Sequence, residues 1–331
     1  MRIAINGFGR IGRYTLKMLL RKEGLEVVAI NDLTDTRTLA HLFKYDTVHG
    51  KFDGSVENEE GGLKINGKNI PVFALKNPAE LPWNDLKVDV VIECTGLFRS
   101  YEKAYAHIEA GAKKVIISAP ADGDKVKSVV MGVNEHILDA NDLIISNASC
   151  TTNNAAPMIK VIEELCDAQS GFITTVHSYT SDQRLHDSPH KDLRRARAAA
   201  ENIIPTSTGA AKAITKIFPD LDGKIGGAGI RVPVKDGSLT DITLIVKNPK
   251  TVDEINAAFK EASENALKGI LQYEVDPIVS SDVIGNPHSC VYDAQLTTVI
   301  GNMVKVVGWY DNEAGYSNRL VDLVLYLSKL N

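Results

Sequence analysis

The sequence predicts an α/β protein: a doubly wound parallel (Rossmann) sheet in the first half, followed by an α+β domain with a mostly antiparallel sheet. Three observations carry that reading. Short, uninterrupted aliphatic runs alternate with helical periodicity as far as residue 146, the texture then changes to β-branched alternation, and 331 residues suit two domains better than one.

The aliphatic runs are RIAI (2–5), EVVAI (26–30), VDVVIECT (88–95), KVIISA (114–119) and LIIS (143–146). A strand with one face in water alternates, whereas a strand covered on both faces does not, so these read as central parallel strands. Between the first two, RIGRYTLKMLLRK carries Ile11, Leu16, Leu19 and Leu20 at helical spacing, and YEKAYAHIEAGA is a second helix ending at Gly111. After Cys150, the runs FITTVHSYT (172–180), IRVPVKDGSLTDITLIVKN (230–248) and VYDAQLTTVIGNMVKVVGWYDN (291–312) read as antiparallel strands, with KDGS (235–238) as a hairpin turn. TVDEINAAFKEASENALKG (251–269) opens on a capping box of Thr251 and Glu254, and NRLVDLVLYLSKL (318–330) gathers leucine and valine on one helical face. The expected domains are 1–149, completed by the C-terminal helix 313–331, and 150–312.

Composition narrows the function classes. The chain is 44% hydrophobic and 24% charged, and no apolar run approaches the roughly 18–20 residues that a membrane-spanning helix needs. MRIAINGFGR lacks the basic-then-apolar pattern of a secretory signal, so a cytoplasmic location is expected. Four cysteines without a CxxC pair fit neither a disulfide framework nor a usual zinc ribbon, and no metal site is expected. A net charge of −5 gives no general attraction to nucleic acid, which is not expected as a main partner, although Arg194, Arg195 and Arg197 form a local basic cluster.

INGFGRIG sets Gly7, Gly9 and Gly12 in GxGxxG spacing, directly after a strand and opening a helix. In that context Gly7 permits the tight turn, Gly9 admits a pyrophosphate close to the backbone, and Gly12 lets helix lie against strand. Asp32 stands 20 residues after Gly12 at the end of the second strand, where a carboxylate accepts the ribose hydroxyls of an adenosine. A 2′-phosphate about 4 Å away would meet a repulsion of about 4 kcal/mol at an effective dielectric of 20, so NAD is expected over NADP.

Cys150 follows LIIS and precedes TTNNAAPMIKVIEELC, whose Met158, Ile159, Ile162 and Leu165 mark the buried stripe of a helix. The thiol therefore stands at a helix N-terminus on the carboxyl side of a sheet, where the helix dipole and a neighbouring imidazolium are expected to bring its pKa below neutrality. Of eight histidines, His177 lies on an apparent strand among polar neighbours and is the candidate partner, with a satisfied core histidine as the alternative. Cys94, Cys166 and Cys290 read as small buried hydrophobes.

The motifs SNASCTTNNAAP, HSYTSDQR, KDLRRARAAAENIIPTSTGAAKA and WYDNEAGYS resemble those of the glyceraldehyde-3-phosphate dehydrogenase family, and the resemblance spans the whole chain. It implies a cytoplasmic homotetramer in glycolytic or gluconeogenic flux, with residues 178–203 as a loop between subunits. Cys150 would attack the aldehyde to give a thiohemiacetal and then a thioester, His177 would move the proton, NAD would take the hydride, and inorganic phosphate would release 1,3-bisphosphoglycerate. The implied substrate-phosphate residues are Thr180, Asp182 and Arg231; Ser149, Thr151, Thr208 and Gly209 would surround inorganic phosphate, with Arg195 near both anions. The implied cofactor contacts are Arg10 and Ile11 on the pyrophosphate, Thr95, Gly96, Phe98 and Ser118 around the adenosine and nicotinamide halves, Asn312 on the carboxamide and Tyr316 as a wall.

Two departures matter. Many relatives carry a second cysteine where this chain has Asn154, so an internal disulfide with Cys150 is excluded. DSPH has Ser188 where strictly NAD-dependent relatives have leucine, which leaves some NADP use open. Erythrose-4-phosphate dehydrogenase, which releases its acyl group to water, and a NAD-binding regulatory protein are the alternatives.

Overall fold

The computed structural model describes residues 1–207 and 209–330. The chain forms two compact units: Met1–Val129 with Glu135–Ala148 and the segment from Ser317, and Ser149–Tyr316 with Val130–Asn134.

In the first unit, the five aliphatic runs become strands Arg2–Asn6, Glu26–Asn31, Val90–Glu93, Lys114–Ile117 and Ile144–Ser146. Lys127–Ser128 adds one edge, and Lys68–Phe73, Gly62–Ile65 and Val56–Glu59 add the other. The pairs are parallel from Lys127–Ser128 across to Lys68–Phe73; only the last two strands join by antiparallel pairing. The aliphatic runs are buried because layers cover both faces, as the lack of alternation required. Arg2–Asn6 lies between Glu26–Asn31 and Val90–Glu93, so the chain reverses its winding there and leaves a crevice at the strands' carboxyl ends. Helix Arg10–Leu19 follows the first strand. The helix expected before Gly111 forms as two short turns, Tyr101–Ala104 and Ala106–Glu109, and Gly111 ends them at φ +102°.

The second unit carries an eight-stranded sheet in which Ala168–Ser178, Ser238–Val246 and Met303–Tyr310 are successive antiparallel neighbours. One expectation fails: KDGS does not close a hairpin. Ile225–Val232 runs parallel to Ala168–Ser178, which lies between it and Ser238–Val246. The intervening residues instead cross the end of the central strand, where Tyr179 N donates to Val234 O at 3.2 Å and Ser178 N to Ser238 Oγ at 3.1 Å. Gly227 lets helix Ala210–Ile217 press against strand Ile225–Val232, since a Cβ there would stand 3.2 Å from Ala211 Cβ. The hairpin at Gly301 is real, joining Thr298–Ile300 to Met303–Tyr310.

Three helices have legible beginnings or contacts. Val252–Glu264 starts on the expected capping box, with Thr251 and Glu254 exchanging hydrogen bonds. Cys150–Cys166 is capped by Ser149, whose Oγ accepts from Thr152 N at 3.0 Å. Asn154, buried on that helix, donates to Ser289 O at 3.3 Å and Trp309 O at 3.2 Å, which ties the helix to the sheet. Ala314–Leu327 begins where Asp311 Oδ1 accepts from Glu313 N and Ala314 N, and it buries Leu320, Val321, Leu323, Val324 and Leu327. Among the described residues, no helix is long and apolar enough to cross a membrane.

Candidate functional site

Two sites are built, one in each unit. In the first, a cavity of about 480 Å³ opens at the carboxyl ends of the central strands, lined by Gly7, Gly9, Asp32, Thr95 and Phe98 among others. Gly7 holds φ +94°, and a Cβ there would lie 2.7 Å from Thr95 N; at Gly12 it would lie 2.2 Å from Gly7 O. Both positions are closed to any side chain by backbone, so the fingerprint follows from packing. Gly9 is different: nothing lies within 4 Å of its Cβ position, and no side chain caps the helix it opens. A helix N-terminus without a side-chain cap suits a pyrophosphate.

Asp32 is held by its own loop. Oδ2 accepts from Phe8 N at 2.7 Å and Oδ1 from Thr34 N at 2.9 Å, so the carboxylate both braces the glycine turn and faces the cavity. Arg10 and Ile11 occupy the first helical turn, but the Arg10 guanidinium bridges Asp46 at 3.0 Å. Ion pairing of that side chain leaves main-chain N–H as the local means of meeting an anion. Gly96 turns at φ +72° between Thr95 and Leu97. Ser118 N donates to Glu93 O at 2.9 Å at the end of its strand, and the Phe98 ring meets His107 edge-on at 6.2 Å. Sequence reasoning missed the apolar walls Leu33, Leu75 and Leu97, although Leu33 and Leu97 stand 59% and 69% exposed immediately after Asp32 and Gly96. The residues present therefore fit a dinucleotide.

The second site starts from backbone. Ala148 takes φ +53°, a left-handed turn that a non-glycine residue seldom adopts, immediately before the Ser149 cap. Cys150 is thereby the first helical residue, and its Sγ lies 3.5 Å from His177 Nε2. Parallel pairing places His177 opposite Arg231 on the neighbouring strand. Arg231 Nη1 approaches His177 Nδ1 at 2.6 Å and donates to Ser178 O at 3.0 Å; that carbonyl also faces Nδ1 at 2.8 Å. A proton on Nδ1, given to Ser178 O, leaves the Nε2 lone pair facing the thiol; a proton on Nε2 instead points at sulfur.

Burial pushes the Cys150 thiol up, opposed by Arg231 and by the N–H and hydroxyl of Thr151. Burial pushes His177 down to about 3, and the Arg231 charge adds to that. Both shifts oppose a resting thiolate–imidazolium pair, which corrects the expectation of a thiol below neutrality. The helix end and the ring are where the sequence puts them, but desolvation penalises the charged form of both groups. Tyr310, which sequence reasoning missed, walls the pair: its ring meets His177 edge-on at 5.9 Å, and its hydroxyl bonds Thr151 Oγ1 at 2.9 Å.

Thr180 Oγ1 donates to Asp182 Oδ1, and Arg195 pairs with Asp182 Oδ2 while its Nε donates to Thr206 Oγ1 at 2.8 Å and Nη2 to Ser207 O at 3.3 Å. Burial works against the Asp182 charge, but Thr180, Arg231 and Arg195 hold its carboxyl below the usual range. Of the expected anion residues, Thr180, Asp182 and Arg195 thus form one bonded cluster in which Asp182 occupies the guanidinium of Arg195. Gly209, exposed, opens helix Ala210–Ile217 without a side-chain cap. Thr208 lies outside the described residues. Ser149 Oγ is engaged in capping, whereas Arg197 pairs with Asp187 at the surface. Asn312 Oδ1 accepts from Ser178 Oγ at 2.8 Å and Ser238 Oγ at 3.0 Å, which fixes its amide with the N–H groups turned the other way. Tyr316 is buried in the first turn of the last helix.

Comparison with known proteins gives two family matches. Residues 1–101 match the model described as glyceraldehyde 3-phosphate dehydrogenase, NAD binding domain, and residues 149–312 match glyceraldehyde 3-phosphate dehydrogenase, C-terminal domain. A glyceraldehyde-3-phosphate dehydrogenase from Thermotoga maritima is 58% identical over 332 residues, 99% of each chain. Similar proteins of that name from Clostridium acetobutylicum (52%, 99% of each chain) and Mycobacterium avium (54%, 99% of each chain) align over comparable lengths.

Proposed function

The chain belongs to the glyceraldehyde-3-phosphate dehydrogenase family, and from that premise we propose that it oxidises D-glyceraldehyde 3-phosphate and phosphorylates the product, with Cys150 as nucleophile and His177 as the group that moves the proton. The observation that carries the assignment of roles is the 3.5 Å approach of Cys150 Sγ to His177 Nε2 at the Ser149-capped start of a helix, beside Arg231.

His177 Nε2 takes the thiol proton as sulfur adds to the aldehyde carbon, and returns it to the new alkoxide. The Cys150 main-chain N–H and the imidazole stabilise that oxygen while it carries charge. His177 then accepts the hydroxyl proton as the carbon is oxidised, leaving a thioester on Cys150. Bound NAD supplies the chemistry that the side chains lack, acceptance of the hydride. An oxygen of inorganic phosphate attacks the thioester, the carbon–sulfur bond breaks with its electron pair going to Cys150 Sγ, which takes back the proton from His177, and 1,3-bisphosphoglycerate leaves. Arg231, Thr180 and Asp182 are assigned to the substrate phosphate, and Ser149, Thr151, Thr208 and Gly209 to inorganic phosphate, with Arg195 near both anions; guanidinium, hydroxyl and main-chain donors suit both.

In the dinucleotide site, Gly7, Gly9, Gly12 and the Arg10–Ile11 turn are assigned to the pyrophosphate, Asp32 to ribose, and Thr95, Gly96, Phe98 and Ser118 to the flanking walls. Asn312 is assigned to the carboxamide, because its oxygen is already engaged and its N–H groups suit a carbonyl acceptor. Tyr316 completes that end.

Formation of a homotetramer through residues 178–203 is supported by Leu185, Leu193 and Ile203, which stand 78%, 81% and 70% exposed in the single chain. A cytoplasmic location fits four free cysteines and a reaction that needs a reduced thiol. Ser188 lines a surface pocket with Arg184 and Arg197, which supports some NADP use if a neighbouring subunit brings that loop to a cofactor.

The deciding assay follows NADH formation from glyceraldehyde 3-phosphate with and without phosphate, for wild type and Cys150→Ser. Turnover is expected to need phosphate and to fall at least ~10³-fold in the serine variant. Equal turnover without phosphate would transfer the assignment to hydrolytic aldehyde oxidation, and an active serine variant would remove covalent catalysis.

A further inference from the structure

We propose that Glu93 is a positioning residue for the dinucleotide: one buried carboxylate that sets both lips of the cavity. The proposal rests on the reading that this cavity takes the cofactor.

Three parallel strands end side by side at the point where the winding reverses, in register Glu93, Asn6 and Asn31. All three side chains are buried, Glu93 to 1% exposure. A carboxylate withdrawn from water persists only when its lone pairs are met. Here each oxygen receives two donors. Thr95 gives Oε1 both its main-chain N–H, at 2.7 Å, and its hydroxyl. Asn6 Nδ2 and His107 Nε2 give theirs to Oε2, the latter at 3.1 Å. Trp83 Nε1 donates to His107 Nδ1 at 3.0 Å, so the ring proton must sit on Nε2 and point at Glu93.

The bonds run outward to opposite walls. On one side, Thr95 Oγ1 accepts from Leu97 N at 3.1 Å, which sets the Thr95–Gly96–Leu97 turn. On the other, Asn6 Oδ1 accepts from Asn31 Nδ2 at 2.7 Å, and Asn31 clamps Leu75 through N–H at 2.9 Å and C=O at 3.0 Å. Leu75 and Leu97 are apolar walls of the same cavity. The Thr95 hydroxyl is spent on Glu93, so Thr95 contributes by holding its turn rather than by donating its hydroxyl to a ligand. A glutamine at 93 would break the arrangement either way it turned, since its amide nitrogen would face donors on one edge or the other.

Calorimetric NAD titration of the intact protein tests this, with wild type, Glu93→Gln and Thr95→Val, beside steady-state kinetics and apo-protein melting. Glu93→Gln is expected to raise the NAD Kd and KM about tenfold, the scale of one lost charge-assisted hydrogen bond, with kcat at saturating NAD and KM for the aldehyde within about twofold. Thr95→Val, which cuts only one lip, should raise the Kd less, and it carries the test if the glutamine variant does not fold. A purely structural carboxylate would lower the melting temperature and leave the Kd of the folded protein where it was; that result overturns the proposal. Wild type that failed to bind NAD would remove the cavity assignment as well, whereas normal wild-type binding with an unchanged Kd in both variants would remove this inference alone.

Discussion

Replacing Asp32 by asparagine separates two roles that one carboxylate performs. The first is exclusion of a 2′-phosphate. At about 4 Å and an effective dielectric of 20 the repulsion is about 4 kcal/mol, and for a half-exposed group solvent and salt trim that to about 2 kcal/mol, or roughly thirtyfold in NAD over NADP preference. The second role is visible only in the fold: the same carboxylate accepts from Phe8 N at 2.7 Å and Thr34 N at 2.9 Å. An amide keeps one acceptor and turns a donor toward the other N–H, a loss of about 1.5–3 kcal/mol that both cofactors must bear. For NADP the two changes offset each other. The expected outcome by titration calorimetry is an NAD affinity weakened by one to two orders of magnitude, an NADP affinity within about fivefold of wild type, and a preference reduced about thirtyfold. A large gain in NADP affinity with NAD binding intact would show that the carboxylate does not brace the loop. An unchanged ratio would refute exclusion, and repeating the titration at high salt should shrink only the exclusion effect.

Other outcomes follow from single features. Gly12→Ala places a methyl 2.2 Å from Gly7 O, so NAD binding should be lost and the melting temperature should fall by several degrees, an overpacking cost of about 1–3 kcal/mol; an unchanged melt would mean that the turn yields freely. Thr251→Ala removes a complete capping box far in sequence from the catalytic residues, and should cost about 1 kcal/mol in denaturant unfolding with kcat unchanged. His177→Asn should lower kcat about 10²- to 10⁴-fold and slow Cys150 alkylation at pH 7, with wild-type alkylation rates as the outcome that sinks its role as base. Raised thiol pKa values mean less thiolate at a given pH. Burial pushes Cys94 up to about 12 and Cys290 higher still, whereas Arg231 and Thr151 oppose the rise at Cys150. Limited iodoacetamide labelling at pH 8, read by peptide mass, should therefore mark Cys150 before Cys94, Cys166 or Cys290.

Local chemistry was written in the sequence. Uninterrupted aliphatic runs could satisfy neither face in water and became the central strands, glycines at 7 and 12 stand where backbone leaves no space, and Thr251 and Ser149 cap the helices that follow them. Cys150 at a helix start was equally legible, because a strand, a short polar turn and an amphipathic stripe are all contained within one continuous segment. What the tertiary structure decided depends on neighbours distant in the chain. Strands 225–232 and 238–246 suggested a hairpin until the 168–178 strand came between them, and that insertion is what places Arg231 beside His177. The acidity of Cys150 was misjudged for the same reason: charge and dipole can be read along a chain, but the loss of water that opposes them is set by everything packed around the thiol. Glu93 carried no signal at all, since its worth lies in Asn6, Thr95 and His107 converging on two oxygens, and hydrogen-bond satisfaction is a property of a folded interior.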